Sequence, residues 1–368
     1  MSRLLFWLAI IAIVVMTLSQ LLGRYVWQLE LFSHYVPHLA VLTLLAWSIF
    51  PNRDALFVKA TLSYRFFIRT IMAIVGISLA VWSLQPFSLI SNMFTSDTSI
   101  KPNLSNHMTI AYQNVNINNS QTNQTLQQLV NLSSHSNLQP DVVALVEAGG
   151  SNWHSTLIKL AKYYPSHCGN SESSPFAMQV FTKNMASHCN IIMLSGFPVA
   201  RLEFSGAPSI HLASDDLSDT DLSDAVLSNA KLSQTSTDAI AKQSDSLTKQ
   251  KVLYVAHPPP PLGRNFASLR NQYLQQLAKL IKSDQHYSVM VVGDFNLSAF
   301  SPVYRDFMSQ SKADASYLRR TTITGLPTWR PFGIGIDQVL VNSNEASVNT
   351  KAMDWKGSDH RGFIIKWW

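Results

Sequence analysis

The sequence predicts a mixed α/β domain that follows an apolar N-terminal region. Beyond residue 107, short apolar runs that end in polar residues alternate with stretches of helical spacing, the pattern of strands and helices in a sheet-based domain. Before residue 90, three long apolar runs contain few charged side chains. With 368 residues, the chain has room for one large domain and these additional segments.

Composition separates the two regions. Charged residues make up 14% of the chain and hydrophobic residues 46%, which is more apolar than usual for a soluble enzyme. Six of the 28 basic residues and two of the 22 acidic residues lie before residue 91, so the remainder carries a net charge of +2. A net charge this close to neutral does not indicate a basic surface for DNA, so it disfavours a nucleic-acid substrate. A nucleic-acid substrate stays open as an alternative.

The N-terminal region, residues 1–90, is predicted to contain three transmembrane helices, at about 4–22, 31–50 and 66–86. Each run is close to the length that crosses a hydrocarbon core of about 30 Å. A signal peptide is the alternative for the first run, because Arg3 supplies a short basic segment before it. The length of the run and the further apolar runs behind it favour a membrane anchor.

Basic residues set the predicted orientation of these helices. The 51–65 loop carries Arg53, Lys59 and Arg65, so the positive-inside rule places this loop in the cytoplasm. The N-terminus then also lies inside, and the chain after about residue 88 lies outside. We therefore expect a multi-pass protein of a bacterial cytoplasmic membrane, with its folded domain on the periplasmic or extracellular side.

The elements of the folded part follow from the apolar pattern. Residues 91–106 are polar and are predicted to form a linker before the domain at 107–368. Residues 213–250, rich in Ser and Asp, are predicted to be a low-complexity insertion, although leucines at five-residue intervals also resemble a few units of a pentapeptide repeat. The predicted strands are at 108–116, 141–147, 251–257, 287–296, 336–342 and 362–367, and helical spacing occurs at 121–132 and 266–283.

Acids, amides and histidines recur at the ends of the predicted strands. They are Asn114, Glu147, His257, Asp294, Asn296, Asp337, Asp359 and His360. Because strand ends in an α/β sheet gather around one crevice, we expect these side chains to meet, although any one of them alone is more often a turn or cap residue. Carboxylate and amide oxygens suit Mg²⁺ or Mn²⁺, and a neighbouring histidine can take a proton from water or contact a phosphoryl oxygen. The set predicts metal-assisted hydrolysis of a phosphoester.

These motifs, in this order, resemble the endonuclease/exonuclease/phosphatase superfamily, which includes the DNase I-like nucleases. The motifs are Asn114-Val, Glu147 after DVVALV, His257, GDFN at 293–296, IDQVL at 336–340 and SDH at 358–360. The resemblance covers residues 107–368 and implies a four-layered α/β sandwich behind the three transmembrane helices. The apolar anchor and the HPPPP sequence at 257–261 are similar to a membrane-anchored bacterial branch of that family.

The resemblance implies a metal site for Mg²⁺ or Mn²⁺. Glu147 is expected to be the principal ligand, with Asn114 beside it and Asp359 completing the site.

The resemblance also implies catalytic roles. Asp294 and Asn296 are expected to orient the attacking water, and His257 is expected to contact the scissile phosphate. His360 is expected to be the general base or a phosphate ligand, with Asp337 fixing its tautomer.

Four further residues are candidates with open alternatives. Arg270 and Trp329 are candidates for substrate contact, although Arg270 also fits the start of a surface helix and Trp329 also fits packing. Cys168 and Cys189 are the only two cysteines, and they can form a disulfide if this part of the chain faces an oxidising compartment.

The predicted function is a membrane-anchored, divalent-metal-dependent phosphoester hydrolase of the phosphodiesterase or nuclease type. Its substrate can be a nucleic acid, a phospholipid headgroup or a small phosphoester, and anchoring near membrane lipid favours a membrane or envelope substrate. The alternative is a non-catalytic envelope scaffold built on the same fold. A scaffold tolerates Glu147→Ala and His360→Ala, whereas a hydrolase does not.

Overall fold

The computed structural model describes residues 2–49, 70–71, 73–75, 77–78, 107–134, 140–170, 172–183, 188–204, 250–313, 317–321, 328–342 and 348–368. The predicted linker at 91–106, most of the third apolar run at 66–86, and the predicted insertion at 213–250 apart from its last residue lie outside these ranges.

In the described part of the chain, strands form two mixed six-stranded sheets. The strands are β1 Met108–Asn114, β2 Val142–Val146, β3 Ser166–Gly169, β4 Met178–Thr182, β5 His188–Leu194, β6 Phe197–Phe204, β7 Lys251–Ala256, β8 Ser288–Asp294, β9 Arg319–Arg320, β10 Asp337–Val341, β11 Val348–Asp354 and β12 Arg361–Trp367. The first sheet has the order β11-β12-β1-β2-β4-β3, and the second has the order β5-β6-β7-β8-β10-β9. The pairs β1–β2 and β7–β8 are parallel, and the other neighbours are antiparallel.

Alternation along the central strands produces a layered core. On β7, Leu253 and Val255 face the other sheet, whereas Val252 and Tyr254 face helices. The helices that cover the outer faces are α4 Thr122–Ser134 and α5 Ser151–Ala161 on the first sheet, and α6 Arg264–Ser283 and α7 Pro302–Gln310 on the second. The predicted α/β class is confirmed, and the order helix, sheet, sheet, helix agrees with a four-layered sandwich.

A disulfide joins the two sheets at their edges. Cys168 on β3 is bonded to Cys189 on β5, and their Cα atoms are 6.2 Å apart. Since β3 ends the first sheet and β5 ends the second, this bond closes one side of the sandwich. The pairing that the sequence left open is present in the structure.

In the described part of the chain before the sandwich, the helices with printed bounds are α1 Ser2–Leu22, α2 Trp27–Ser33 and α3 Val36–Ile49. Among the described residues, no single helix combines the length and apolar character of a membrane span. Taken together, Ile10–Leu22 and Trp27–Ser33 have the length and composition of one span, but the two segments are bent by 119° relative to each other.

The predicted second span at 31–50 needs corrected bounds. Its first residues belong to α2, and a new helix begins at Val36. Pro37 explains the restart, because proline lacks a backbone N–H and therefore fits the first turn of a helix but not its interior.

Candidate active site

The strand directions bring six predicted site residues to one end of the two sheets. Parallel β1 and β2 end in Asn114 and lead into Glu147, and parallel β7 and β8 end at His257 and Asp294. The antiparallel strands β10 and β12 begin at this same end. As a result, Asp337 pairs in register with Asp294, and His360 immediately precedes β12.

Asn114 connects carboxylates from both sheets. Its Nδ2 donates a hydrogen bond to Glu147 Oε1 at 2.8 Å and another to Asp294 Oδ2 at 3.1 Å. Asn114 and Asp294 are buried, whereas 21% of the Glu147 side chain is exposed. One amide therefore holds two carboxylates side by side, with Glu147 at the open edge of the cleft.

His257 completes one group of metal-ligating side chains. Its Nε2 lies 3.8 Å from Glu147 Oε1 and 4.0 Å from Asp294 Oδ2, and one ligand atom from each of the three residues lies within 4.8 Å of the others. The Nδ1 of His257 is buried and makes no hydrogen bond in the described structure. The two carboxylates fit a divalent cation, and the imidazole beside them has ring nitrogens without a hydrogen-bond partner in the described structure.

Backbone strain concentrates beside the cleft. Asn116, Glu147 and Asn296 have φ values of 61°, 60° and 51°, in the left-handed region that side chains other than Gly, Asn and Asp rarely adopt. At Glu147 this conformation costs roughly 1–3 kcal/mol, and it turns the chain sharply after β2. Such strain is typical of functional sites, where the surrounding fold holds the backbone in place.

Asn296 joins two segments of the site. Its backbone N–H donates to Asp294 Oδ1 at 2.8 Å, and its side-chain Nδ2 donates to the carbonyl of Pro258 at 3.0 Å. In this structure Asn296 thus fixes the turn after β8 against the proline segment that follows His257.

His360 is part of a buried carboxylate–histidine–tyrosine chain. Its Nδ1 lies 2.9 Å from Asp337 Oδ2, and Tyr112 donates from its hydroxyl to Asp337 Oδ1 at 3.0 Å. The Thr328 hydroxyl accepts from the backbone N–H of Asp337 at 3.0 Å, which fixes the start of β10. The other ring nitrogen of His360, Nε2, faces Asp294 Oδ2 at 3.8 Å. Asp294, Asp337 and His360 therefore form a second group of potential metal ligands among the described residues.

The electrostatics of the site reflect its surplus of carboxylates. Burial by itself lowers the pKa of His360, but the carboxylates of Asp337 and Asp294 raise it to about 10. Burial raises the pKa of Asp294, and the nearby Asp337 raises it further, while His360 and His257 act in the opposite direction. Burial and charged neighbours therefore shift the pKa values of His360 and Asp294, as is common for catalytic acids and bases.

Asp359 and Trp329 lie at the edge of the cleft. Asp359 accepts from Asn116 Nδ2 at 2.9 Å and from Trp329 Nε1 at 3.0 Å, and it is in neither group of potential metal ligands. The Trp329 ring lies 6.4 Å from the His360 ring, centroid to centroid, and packs on Phe332 at 4.4 Å. Trp329 thus lies beside His360 and also packs on Phe332, and its contact with substrate stays a prediction.

Arg270 requires a correction. From the sequence it is a candidate for substrate contact or for the start of a surface helix, but its side chain is 1% exposed and donates to Glu30 Oε2 at 2.7 Å. A guanidinium that is fully buried in an ion pair is not available to a substrate. Its partner, Glu30, lies 240 residues away in the chain, so no local sequence pattern predicts this ion pair.

Residues 112–360 match the endonuclease/exonuclease/phosphatase family. The chain belongs to this family. The match begins at Tyr112 and ends at His360, so every predicted metal-binding and catalytic residue falls within it. Membership in the family makes the protein a metal-dependent phosphoric ester hydrolase.

Several solved structures are similar to this chain at low sequence identity. They include a D. rerio TDP2 humanized by 14 mutations (15% identity, 71% of this chain and 98% of that chain, TM-score 0.42) and the human nocturnin catalytic domain with bound sulfate (14%, 71%, 94%, 0.42). Sphingomyelinase C from Streptomyces griseocarneus is also similar (10%, 71%, 99%, 0.43). No curated protein matches the chain.

Two residues that support the site, Tyr112 and Ser358, were not predicted from the sequence. Tyr112 was hidden within an apolar run, yet it lies two positions before Asn114 and so shares its face of β1. Ser358 accepts from the backbone N–H of His360 at 3.0 Å and donates to the carbonyl of Asn114 at 2.7 Å. The alternation of β1 could have identified Tyr112, whereas the contact of Ser358 depends on the pairing of β1 with β12.

Proposed function

We propose that this protein is a membrane-anchored, Mg²⁺-dependent phosphodiesterase whose catalytic domain lies on the outer face of a bacterial cytoplasmic membrane. The observation that carries the catalytic part is the His360–Asp337 pair, whose second ring nitrogen faces the carboxylates of the cleft. A histidine held in this way is suited to take a proton from water next to a phosphoester.

Glu147 and Asp294 would hold the metal, because Mg²⁺ prefers carboxylate oxygens and one amide already holds these two side by side. When bound, the metal supplies positive charge that polarises a phosphoryl oxygen and lowers the pKa of His360. His257 is the residue that donates to a phosphoryl oxygen, since its Nε2 faces the same space. We assign Asn296 to holding the turn that carries Asp294.

His360 acts as the general base in this proposal. The Asp337 carboxylate accepts from Nδ1 and keeps the proton there, so that Nε2 is the atom that receives a proton from water. Asp337 in turn is held by the Tyr112 hydroxyl and by its backbone bond to Thr328. The base is thus fixed by contacts from three different segments.

The proposed location draws on both sequence and structure. The basic 51–65 loop favours a cytoplasmic position for that loop and an outer position for the domain. The Cys168–Cys189 bond supports an oxidising compartment, because disulfides persist there and are reduced in the cytoplasm. Protease added to intact spheroplasts is expected to digest the domain. Digestion only after lysis would place the domain inside and overturn this part of the proposal.

The substrate in this proposal is a phosphodiester at the membrane surface. The near-neutral charge of residues 91–368 offers little attraction for a polyanion. The loop that carries Trp329 also approaches the N-terminal helices: His38 Nε2 would lie 3.4 Å from a Cβ at Gly333. A cleft rim beside the anchor favours a lipid headgroup over DNA, and nucleic acid remains a comparison in the test.

The test uses the full chain in detergent or nanodiscs with three substrates: bis(p-nitrophenyl) phosphate, phospholipid vesicles and plasmid DNA. Each is assayed with Mg²⁺, Mn²⁺ and EDTA, for the wild type, His360→Gln and the exposed control His154→Gln. We expect metal-dependent turnover that His360→Gln abolishes and His154→Gln preserves. Cleavage of plasmid but not of vesicles would replace the lipid substrate with nucleic acid. Turnover that survives His360→Gln would overturn the assigned base.

A further inference from the structure

The turn between the first and third helices carries polar side chains that contact the hydrolase domain. We call residues 20–38 the hairpin tip; it joins the end of α1, all of α2 and the start of α3. Its contacting residues are Gln20, Arg24, Glu30 and His34. These residues are polar exceptions in a strongly apolar region.

Glu30 forms the centre of this contact. It is fully buried, and its Oε2 lies 2.7 Å from Arg270 Nη2 on α6. Its Oε1 accepts from the Ser301 hydroxyl, also at 2.7 Å. Ser301 is the N-cap of α7, where its side chain accepts from the backbone N–H of Val303. A single carboxylate therefore ties α2 to α6 and to the start of α7.

The same surface holds two more positions of the segment between β8 and α7. His34 Nδ1 lies 2.8 Å from the Ser298 hydroxyl, and the Ser298 backbone N–H points at the same nitrogen at 3.3 Å. Gln20 donates to the carbonyl of Phe300 at 3.2 Å. Three residues among 298–301 are therefore held by the hairpin tip.

This segment begins at the active site. Asp294 ends β8, and Asn296 is bonded both to Asp294 and to the proline segment behind His257. Between Asn296 and the docked Ser298 there is one residue, Leu297, whose carbonyl accepts from Gln338 on β10. A displacement of Ser298 or Ser301 is thus transmitted over a few bonds to the carboxylate at the centre of the cleft.

We propose that Glu30 and His34 are positioning residues for the reaction, and that the hairpin tip fixes the Asp294–Ser301 segment in its active geometry. The N-terminal region then acts as part of the enzyme and is more than a tether. This inference rests on the hydrolase activity of the site and is independent of which phosphoester it cleaves.

The charges explain why the tip stays docked. Without Glu30, Arg270 is left as a buried and uncompensated cation, which is strongly unfavourable. The Arg24–Asp306 pair lies on the same surface at 3.3 Å, but its side chains are 43% and 39% exposed. Exposed pairs contribute little, so Arg24 is a matched control for Glu30.

The experiment measures backbone hydrogen exchange and kinetics on the full chain in nanodiscs. The variants are Glu30→Met, Arg24→Met and the double variant Glu30→Met with Arg270→Met. In Glu30→Met we expect exchange at residues 295–303 to rise at least tenfold and kcat per folded molecule to fall about tenfold, with KM within about twofold, because misplacement of a catalytic group lowers the rate of the bound complex. Arg24→Met is expected to match the wild type in both readouts.

The double variant separates positioning from stability. It removes the buried unpaired charge, so thermal stability is expected to recover, but Ser301 still lacks its acceptor and the faster exchange and lower kcat persist. Recovery of both readouts to wild-type values would reduce Glu30 to a structural role, and unchanged exchange in Glu30→Met would overturn the proposal. Exchange needs no turnover, so a wrong choice of substrate leaves this test intact.

Discussion

Two buried groups of charged residues lie at opposite ends of one short segment, and they are balanced in different ways. The catalytic cluster, Glu147, Asp294, Asp337, His257 and His360, surrounds the start of the segment. The docking cluster, Glu30, Arg270 and Ser301, lies at its end. In the docking cluster the carboxylate meets a guanidinium and a hydroxyl, so its charge is matched within the chain. In the catalytic cluster three carboxylates face two histidines.

This comparison distinguishes buried charges that stabilise the fold from buried charges that can bind a ligand. A buried ion needs a partner, and the docking cluster provides one permanently. The catalytic cluster leaves negative charge that the described residues do not neutralise, which is the condition that attracts a divalent cation. The carboxylates of Asp337 and Asp294 raise the pKa of His360 to about 10, which reflects that imbalance.

Matched Glu→Gln substitutions should break the two clusters in different ways. Glu147→Gln is expected to lower kcat/KM by about 10³-fold, the equivalent of about 4 kcal/mol, because a metal ligand is lost. Its metal-free stability should stay the same or rise, since repulsion among carboxylates is relieved. Glu30→Gln should instead lower the free energy of unfolding by about 3 kcal/mol.

Kinetics with bis(p-nitrophenyl) phosphate and thermal unfolding in EDTA measure both quantities. The comparison fails if Glu147→Gln destabilises the metal-free protein as much as Glu30→Gln does.

The metal-free protein should lose stability as pH rises. His360 has a pKa of about 10 in the folded state and about 6.5 when unfolded. A raised folded pKa stabilises the fold fully below pH 6.5, and this contribution is lost as pH increases through 10. Unfolding midpoints in EDTA across this window should fall more steeply for the wild type than for His360→Gln. Parallel curves for the two proteins would contradict the assignment.

The catalytic cluster could be predicted from the sequence because its residues lie at the ends of predicted strands. Asn114, Glu147, His257 and Asp294 each follow an apolar run, and sheet geometry requires such ends to gather. The order of the motifs supplied the remaining members.

The docking cluster was invisible for a physical reason. Glu30 and Arg270 form an ion pair only when two helices pack together, and the two residues are 240 positions apart in the chain. Neither residue belongs to a sequence motif. The sequence therefore left Arg270 as a candidate for substrate contact or for the start of a surface helix, and it did not predict the helix restart at Val36. The pairing of Cys168 with Cys189 stayed open because the sequence does not show whether this part of the chain faces an oxidising compartment.

The disulfide is a third structural link, and its loss should lower the free energy of unfolding without changing kcat. For a closed loop of this length the expected loss is about 3 kcal/mol for Cys168→Ser with Cys189→Ser. Thermal unfolding of the double variant should match that of the reduced wild type. The kcat of the folded fraction should remain unchanged, because the bond joins sheet edges and holds no residue of the cleft. A kcat that falls with the bond would show that the edge strands also shape the site.

The smallest expected effect tests whether the catalytic cluster depends on a structural partner of its own. Tyr112 donates to Asp337, and this bond stabilises the carboxylate that holds His360. Tyr112→Phe should lower kcat about tenfold, in line with the loss of a hydrogen bond to a charged group. It should also move the acidic limb of the kcat/KM profile to higher pH, because an Asp337 without this donor holds the imidazolium proton more firmly. Tyr164→Phe is the control, since its buried hydroxyl donates to the carbonyl of Pro140, which precedes β2 at the end away from the cleft. A limb that stays in place in Tyr112→Phe, with the same stability loss as the control, would make Tyr112 a packing residue and leave Asp337 positioned by the backbone of β10 alone.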